Sequence, residues 1–263
     1  RQIINSDAEV VNKLGSNAMG NYLYVYKGVY ATDEDVPVNP LTGERLRMGG
    51  NTSTQAYFKA GDPIWVDVNG DYIIDEKDKV IVGNSQPRMT GGISINLRYK
   101  AFSINTNCSF TLRRDIINKA LADRFRAYGT PVAGKVNLTG SGALTPIEAY
   151  NFWTEDNIYA QYPNPFDYTR SSIIQPFRYD QTLFMEDGSY FKINGISVAY
   201  TIPKKMLDFF RISRCQLNFS MNNIYTFSKY SGINPENVNN LGYDTSGGYP
   251  NGRTVTFGVS MDF

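Results

Sequence analysis

Histidine is absent from the 263 residues, and cysteine occurs only twice, as Cys108 and Cys215. Without histidine, the common zinc, haem and Cys/His catalytic sites are largely closed off. Two cysteines can make one disulfide but not a disulfide scaffold. An excess of either charge is missing too. With 26 basic and 25 acidic side chains the formal charge is +1, which gives no global field to draw nucleic acid. No apolar run approaches the ~18 residues that a membrane helix needs. That excludes a membrane helix and leaves a membrane barrel open. The sequence has no nucleophile elbow and no phosphate-binding glycine loop. Its carboxylates have no placed partner for acid–base work, so no enzyme is expected.

What the chain does have is aromatic residues, at 14% of its length, and alternation. "GISINLRYK" places Ile93, Ile95, Leu97 and Tyr99 opposite Ser94, Asn96 and Arg98. "FSINTNCSFTL" follows after only "KA", which reads as a tight hairpin. "ISVAYTI" and "CQLNFSMN" repeat the pattern, as does the terminal "RTVTFGVSMDF". In that last segment Val255, Phe257, Val259, Met261 and Phe263 share one face. A sixth strand is expected in "NYLYVYKGVY", which is too aromatic on both faces for an inside to be assigned.

The faces opposite the apolar ones carry Asn, Ser, Thr and Gln, side chains suited to a wet interior. The connections alternate strictly between long and short. Long ones run over roughly 31–88, 114–188 and 228–252, and the short ones are "KA" and "PKKMLDFFRIS". A transmembrane barrel has this pattern, with short periplasmic turns and long extracellular loops. The expected fold is therefore all-β: about six antiparallel strands of a larger transmembrane β-barrel, with the C-terminus on the periplasmic side. Six strands alone would leave two open edges in lipid, and a plugged transporter barrel needs about 22. The chain opens at Arg1 without a leader, which reads either as a trimmed soluble protein or as the back part of a longer one.

Three stretches carry a family resemblance. "GDPIWVDVNGDYIIDEKDKVIVGNSQPRMTGGISINLRYKAFSI" comes first, followed by "FWTEDN" and "MEDGSYFKINGISVAYTIPKK". "NFSMNNIYTFSKYSGINPE" and "YPNGRTVTFGVSMDF" complete the set, in order, over most of residues 57–263. Together they resemble the C-terminal part of SusC-like TonB-dependent outer-membrane transporters. The resemblance implies an outer-membrane importer of glycans or oligopeptides, a SusD-like surface lipoprotein as partner, and coupling to TonB through a plug and N-terminal segment lying upstream. It also implies that the terminal alternating segment, Val255 to Phe263, is a barrel-assembly signal. Nucleic acid is not an expected partner. The competing reading is a soluble extracellular adhesin or glycan-binding module, and a further one is a glycan-active all-β enzyme.

"DVNGDYIIDEKD" spaces Asp67, Asn69, Asp71, Asp75 and Asp78 as in a calcium loop, with the Ile73 carbonyl at position 7. Tyr72 stands where such loops usually carry glycine, and Asp78 stands in place of the bidentate Glu. The competing reading is an Asx-rich turn centred on Asn69-Gly70. If calcium binds, its role is to stiffen a long loop. Residues 114–188 are rich in aromatics, including Trp153, Tyr159, Tyr162 and Tyr168, candidates for contact with substrate or lid. A loop of this length also needs a core of its own, and most of these rings are expected to supply it. Cys108 and Cys215 fall on apolar faces of non-adjacent strands and are expected to be free.

Overall fold

The computed structural model describes residues 2–3, 10–12, 20–50, 53–128, 131–132, 135–136, 149–207, 212–239, 241–244 and 251–262. They divide into two compact units, each assembled from three separated stretches.

One unit comprises Pro87–Asp115, Asp187–Glu236 and Gly248–Phe263. Its strands are β1 (Met89–Tyr99), β2 (Phe102–Leu112), β3 (Tyr190–Thr201), β4 (Arg214–Ser228) and β5 (Thr254–Asp262). They pair in sequence order as one antiparallel sheet. β1 and β2 pair residue for residue from Phe102↔Tyr99 to Leu112↔Met89 around Lys100-Ala101. Lys100 supplies the left-handed turn residue, at φ 53°. Each alternating segment of the sequence thus becomes a strand, because a period of 2 on a pleated ribbon sends all its apolar side chains to one side.

Three features differ from expectation. The sheet has five strands, not six, and among the described residues it does not close. The aromatic "NYLYVYKGVY" segment is not part of it: it forms Gly20–Leu23 and Tyr26–Val29 in the other unit. There Leu23 packs into one core and Tyr24 into a second. Burial on both sides explains why this segment shows no polar face. The sheet also carries irregularities that alternation does not reveal. Asn194 is an extra residue opposite Asn107/Cys108, and the β3–β4 register shifts between Ile193 and Gly195. Asn223 takes φ 53° at that shift, a conformation Asn tolerates better than most residues.

Both cysteines are free. Cys215 lies on the apolar side of β4 but is only 4% exposed, so it is not the open, lipid-facing thiol the pattern suggested. It stands where the connection to the short helix α1 (Lys204–Leu207) folds back, and Ile202 N–H donates to its carbonyl at 2.9 Å. Residues 208–211 of the short "PKKMLDFFRIS" connection lie outside the described residues.

The other unit comprises Arg1–Gln86, Ile116–Glu186 and Asn237–Gly247. Short strands and helices, the ten-residue Lys119–Tyr128 among them, wrap two apolar clusters. One cluster holds Leu23, Ile117, Phe125, Phe152, Phe177, Phe184 and Tyr243, drawing on all three stretches. Phe125 is its centre: Phe152 and Tyr162 meet it edge-on at 4.9 and 5.0 Å, the geometry ring quadrupoles favour. The second cluster gathers Tyr24, Tyr30, Leu46, Phe58, Trp65, Ile74 and Ile174. The three stretches that sequence reading treated as separate loops are therefore one folded body.

Polar side chains tie this body together at depth. Trp65 Nε1 donates to Gln181 Oε1 at 2.7 Å, and Gln181 Nε2 donates to the Pro176 and Arg178 carbonyls at 2.8 Å each. Asp180 receives both Arg178 and Lys79, the latter at 2.8 Å. Burial by itself would raise the Asp180 carboxyl, but the Arg178 hydrogen bond and the two cationic charges outweigh it and hold its pKa below the usual range. A depressed carboxyl contributes stability above its unfolded pKa of about 3.9, and that stability is lost as pH falls through the lower folded value. The fluorescence of Trp65 and Trp153, the only two tryptophans of the chain, reports on this unit. It is expected to hold steady from about pH 7 to 5 and to signal opening below about pH 4. Asp180→Asn is expected to weaken that acid dependence while lowering stability at neutral pH.

Candidate functional site: a two-faced sheet and an acidic loop

The sheet's register places one chemical character on each face. Ile95 and Leu97 on β1 adjoin Thr106 and Ile104 on β2, which adjoin Ile196 and Val198 on β3. Met221 and Phe219 follow on β4, then Val255 and Phe257 on β5. Both of these rows cross all five strands, and most of their large side chains are exposed, Phe257 by 81%. A folded protein in water rarely leaves so continuous an apolar surface open.

The opposite face carries Ser94, Asn96, Asn105, Asn107, Ser197, Asn218 and Ser220. Ser94 Oγ donates to Asn107 Oδ1 at 2.9 Å, and Ser109 Oγ to Asn194 Oδ1 at 3.2 Å. Among the described residues the edge strands β1 and β5 are exposed nearly throughout on both sides. A soluble sheet half-buried in a sandwich would cover its apolar side. This one does not.

Aromatic residues cluster at both ends of the apolar face. Tyr99, Phe102 and Tyr200 are cross-strand neighbours at the two-residue-turn end, with Phe102 and Tyr200 rings 4.6 Å apart. Phe110, Phe191 and Phe227 neighbour one another at the other end. Phe110 lies over Gly91, where an added Cβ would meet its ring at 2.6 Å. The eleven residues of β1 extend about 36 Å at ~3.3 Å each, or about 28 Å across a layer if tilted ~40°. That matches the ~25 Å apolar band, flanked by aromatic girdles, of a membrane barrel wall. The girdles escaped sequence reading. Their only signal is the position of each aromatic within its alternating segment, which means nothing until the strands are in register.

Of the terminal segment, Val255, Phe257, Val259 and Met261 are paired to β4 and exposed on the apolar face. Phe263 lies outside the described residues.

The acidic loop spends its oxygens on its own backbone. Asp67 accepts from Gly70 and Tyr72 N–H at 2.7 and 2.8 Å. Asp71 accepts from Ile73 N–H at 2.9 Å and from Asn69 Nδ2 at 2.8 Å. Asp78, fully buried, accepts from Val68 and Asp75 N–H at 2.9 and 2.8 Å, and Asp75 caps Lys77 N–H at 2.8 Å. Ile73 sits in a short parallel pairing with Arg47. Tyr72 adopts φ 62°, the conformation usually left to glycine, and packs its ring against the second core cluster. Among the described residues no three of these side chains converge as a metal-holding group. On this geometry, millimolar calcium and excess chelator are expected to give the same melting midpoint within about one degree by tryptophan fluorescence. A rise of several degrees with calcium would assign the ligand role to Asp67, Asn69, Asp71, Asp75, Asp78 and the Ile73 carbonyl.

The four aromatic candidates fall differently. Trp153 is 8% exposed, its Nε1 donating to the Ala31 carbonyl at 3.3 Å. Tyr162 is half-buried against Phe125. Tyr159 is 84% exposed. Tyr168 begins a short helix, Tyr168–Ile173, and its side chain lies outside the described residues. Two of the four rings are thus core, and of the three described side chains Tyr159 is the exposed one.

No protein-family model matches the chain. The TonB-dependent receptor P3 of Formosa agariphila is 28% identical over 257 residues, covering 92% of this chain and 22% of that protein. The TonB-dependent receptor SusC of Bacteroides thetaiotaomicron is 23% identical over 270 residues, covering 95% of this chain and 24% of its own length. In sequence the chain is similar to TonB-dependent receptors, SusC among them. It spans about a quarter of the length of these relatives. The fold agrees. The RagAB peptide importer in its open-open state superimposes with a TM-score of 0.67 at 18% identity, over 99% of this chain and 24% of that one. A second RagAB peptide transporter structure gives a TM-score of 0.68 at 17% identity.

Proposed function

We propose that this chain forms a sector of the barrel wall, with its extracellular loops, in an outer-membrane TonB-dependent importer. The observation that carries the proposal is the five-strand face of exposed apolar side chains backed by an exposed polar one. In the closed barrel, β1 and β5 pair with strands from elsewhere in the longer protein, since lipid tolerates no open edge. The apolar face meets hydrocarbon and the polar face meets the lumen. The C-terminus lies on the periplasmic side, with the short connections. The folded body built from the three long stretches is extracellular.

Import then follows as gated passage. A SusD-like lipoprotein captures a glycan or oligopeptide, force through TonB displaces a plug, and the Asn/Ser/Thr face provides a wet passage that binds solute weakly. The solved structure named as a peptide importer supports the oligopeptide class, and the family resemblance of the sequence keeps the glycan class in play. The exposed Tyr159 is the first candidate for contact with lid or substrate.

The test is fractionation of the native protein from cells, followed by intact mass. Recovery from the outer membrane as a polypeptide several times longer than this chain, with a co-purifying lipoprotein, is the expected result. Recovery as a soluble species of 263 residues would overturn the reading.

A further inference from the structure

The apolar face does not end bluntly on the side of the long connections. A groove of 440 Å³ opens there, lined by Leu112 on β2, Phe191 on β3, and Tyr225 and Phe227 on β4. The rings of Tyr225 and Phe227 meet edge-on at 4.6 Å, leaving half of each exposed. Lys229, the residue after the β4 strand ends, forms part of the same groove. Two more cations stand at this end. Arg113 directly follows Leu112, and its N–H donates to Ser189 Oγ at 3.0 Å. Arg88 N–H donates in turn to the Arg113 carbonyl at 3.3 Å.

All three cationic side chains are exposed, and among the described residues none of them forms an ion pair. One acid, Asp187, shares the groove, and its Oδ1 accepts from Ser189 N–H at 2.9 Å. The chain as a whole is near neutral, so three unpaired cations beside one acid are a local feature rather than a reflection of composition.

From this juxtaposition we infer that the groove seats a membrane lipid with a phosphorylated headgroup, its acyl chain along Leu112, Phe191 and Phe227 and its phosphate among Arg88, Arg113 and Lys229. The inference rests on the barrel-wall reading, which places this end of the band at the outer leaflet. Charge complementarity selects the occupant. A neutral lipid would use the apolar slot and leave the cations idle. A soluble phosphate would use the cations and leave the slot open. Guanidinium groups favour phosphate through bidentate hydrogen bonds, and both charge types gain strength at the low-dielectric border of a bilayer. The aromatic rings hold the headgroup boundary in place, as aromatic belts do at membrane interfaces.

The test uses the longest form of the protein recovered from cells, purified in a neutral detergent. Bis-phosphorylated lipid A and the same lipid stripped of its phosphates serve as probes, and retained lipid is read by native mass spectrometry. The wild type is expected to retain the phosphorylated form at least tenfold better than the stripped one. Combined Arg88→Gln, Arg113→Gln and Lys229→Gln should abolish that preference. Lys204→Gln with Lys205→Gln, at the opposite end of the sheet, should preserve it. Equal retention of the two lipids by the wild type would overturn the inference without any variant having to fold. So would a preference that survives the triple substitution. If the protein fractionates as soluble, the barrel reading itself fails and takes this inference with it. If it is found in the outer membrane without phosphate preference, only the lipid site fails.

Discussion

Phe257→Arg is expected to destabilise the membrane-inserted protein by about 2–4 kcal/mol, although Phe257 is 81% exposed in this chain. On a soluble protein, substitution at so open a position changes stability by no more than about 0.5 kcal/mol. The two environments therefore predict different magnitudes for one substitution. Phe257 pairs with Phe219 across β4 and β5, their ring centroids 5.0 Å apart, near the middle of the apolar face. A guanidinium there must either lie in hydrocarbon or bend far to reach the headgroups. The neighbouring Thr256→Arg is the control, because Thr256 points to the polar face, where a cation stays in water. Urea unfolding from detergent or lipid, with folding read by heat-modifiable gel mobility, measures both. Equal and small effects at the two positions would mean that the apolar face does not meet lipid.

Asp62→Ala is expected to cost the loop body about 3–5 kcal/mol, the range for removing one partner of a buried ion pair. Asp62 is 2% exposed and engages Arg170, whose Nε donates to Asp62 Oδ1 at 3.0 Å. Arg170 Nη2 also reaches the Tyr57 carbonyl at 2.6 Å, so the guanidinium clasps two backbone segments far apart in sequence. Burial pushes the Asp62 carboxyl up even against the opposing hydrogen bond and charge of Arg170, which shows how costly the desolvation is. That cost shapes the expectation. Loss of Asp62 leaves the Arg170 charge in the interior without its carboxylate. Replacing both residues together, as Asp62→Leu with Arg170→Met, should restore most of the loss, since an apolar pair of similar volume needs no compensation. Chemical unfolding followed by tryptophan fluorescence reads the effect, because Trp65 and Trp153 both lie in this unit. Additive losses in the double variant would show that the two residues act independently.

Much of the five-stranded sheet was legible in the sequence. A strand's side-chain period is local, so "GISINLRYK" and "FSINTNCSFTL" state both the strand and its faces, and the two-residue gap between them states the pairing. Connection lengths then order the strands without any knowledge of contacts. Free Cys108 and Cys215 follow from the same register. The acidic loop was half legible: its Asx spacing is plain, but a calcium loop and a self-capped turn share that spacing. Only the directions of the N–H groups of Gly70, Tyr72 and Val68 show where the carboxylates are engaged.

What the tertiary structure alone decided is everything that depends on meetings between distant residues. Leu23, Phe125 and Tyr243 come from three stretches of the chain and share one core. No local pattern records that, since each stretch alone reads as an aromatic, polar loop. The same holds for "NYLYVYKGVY", whose aromatic character on both faces marks burial between two cores rather than a sixth wall strand. The bulge at Asn194 and the girdles at the ends of the band exist only in the register between strands. The sequence by itself determined the strands and what each face is made of, because alternation is written into consecutive residues. The structure decided how the long connections fold together, because packing energy is shared among side chains the chain order keeps apart.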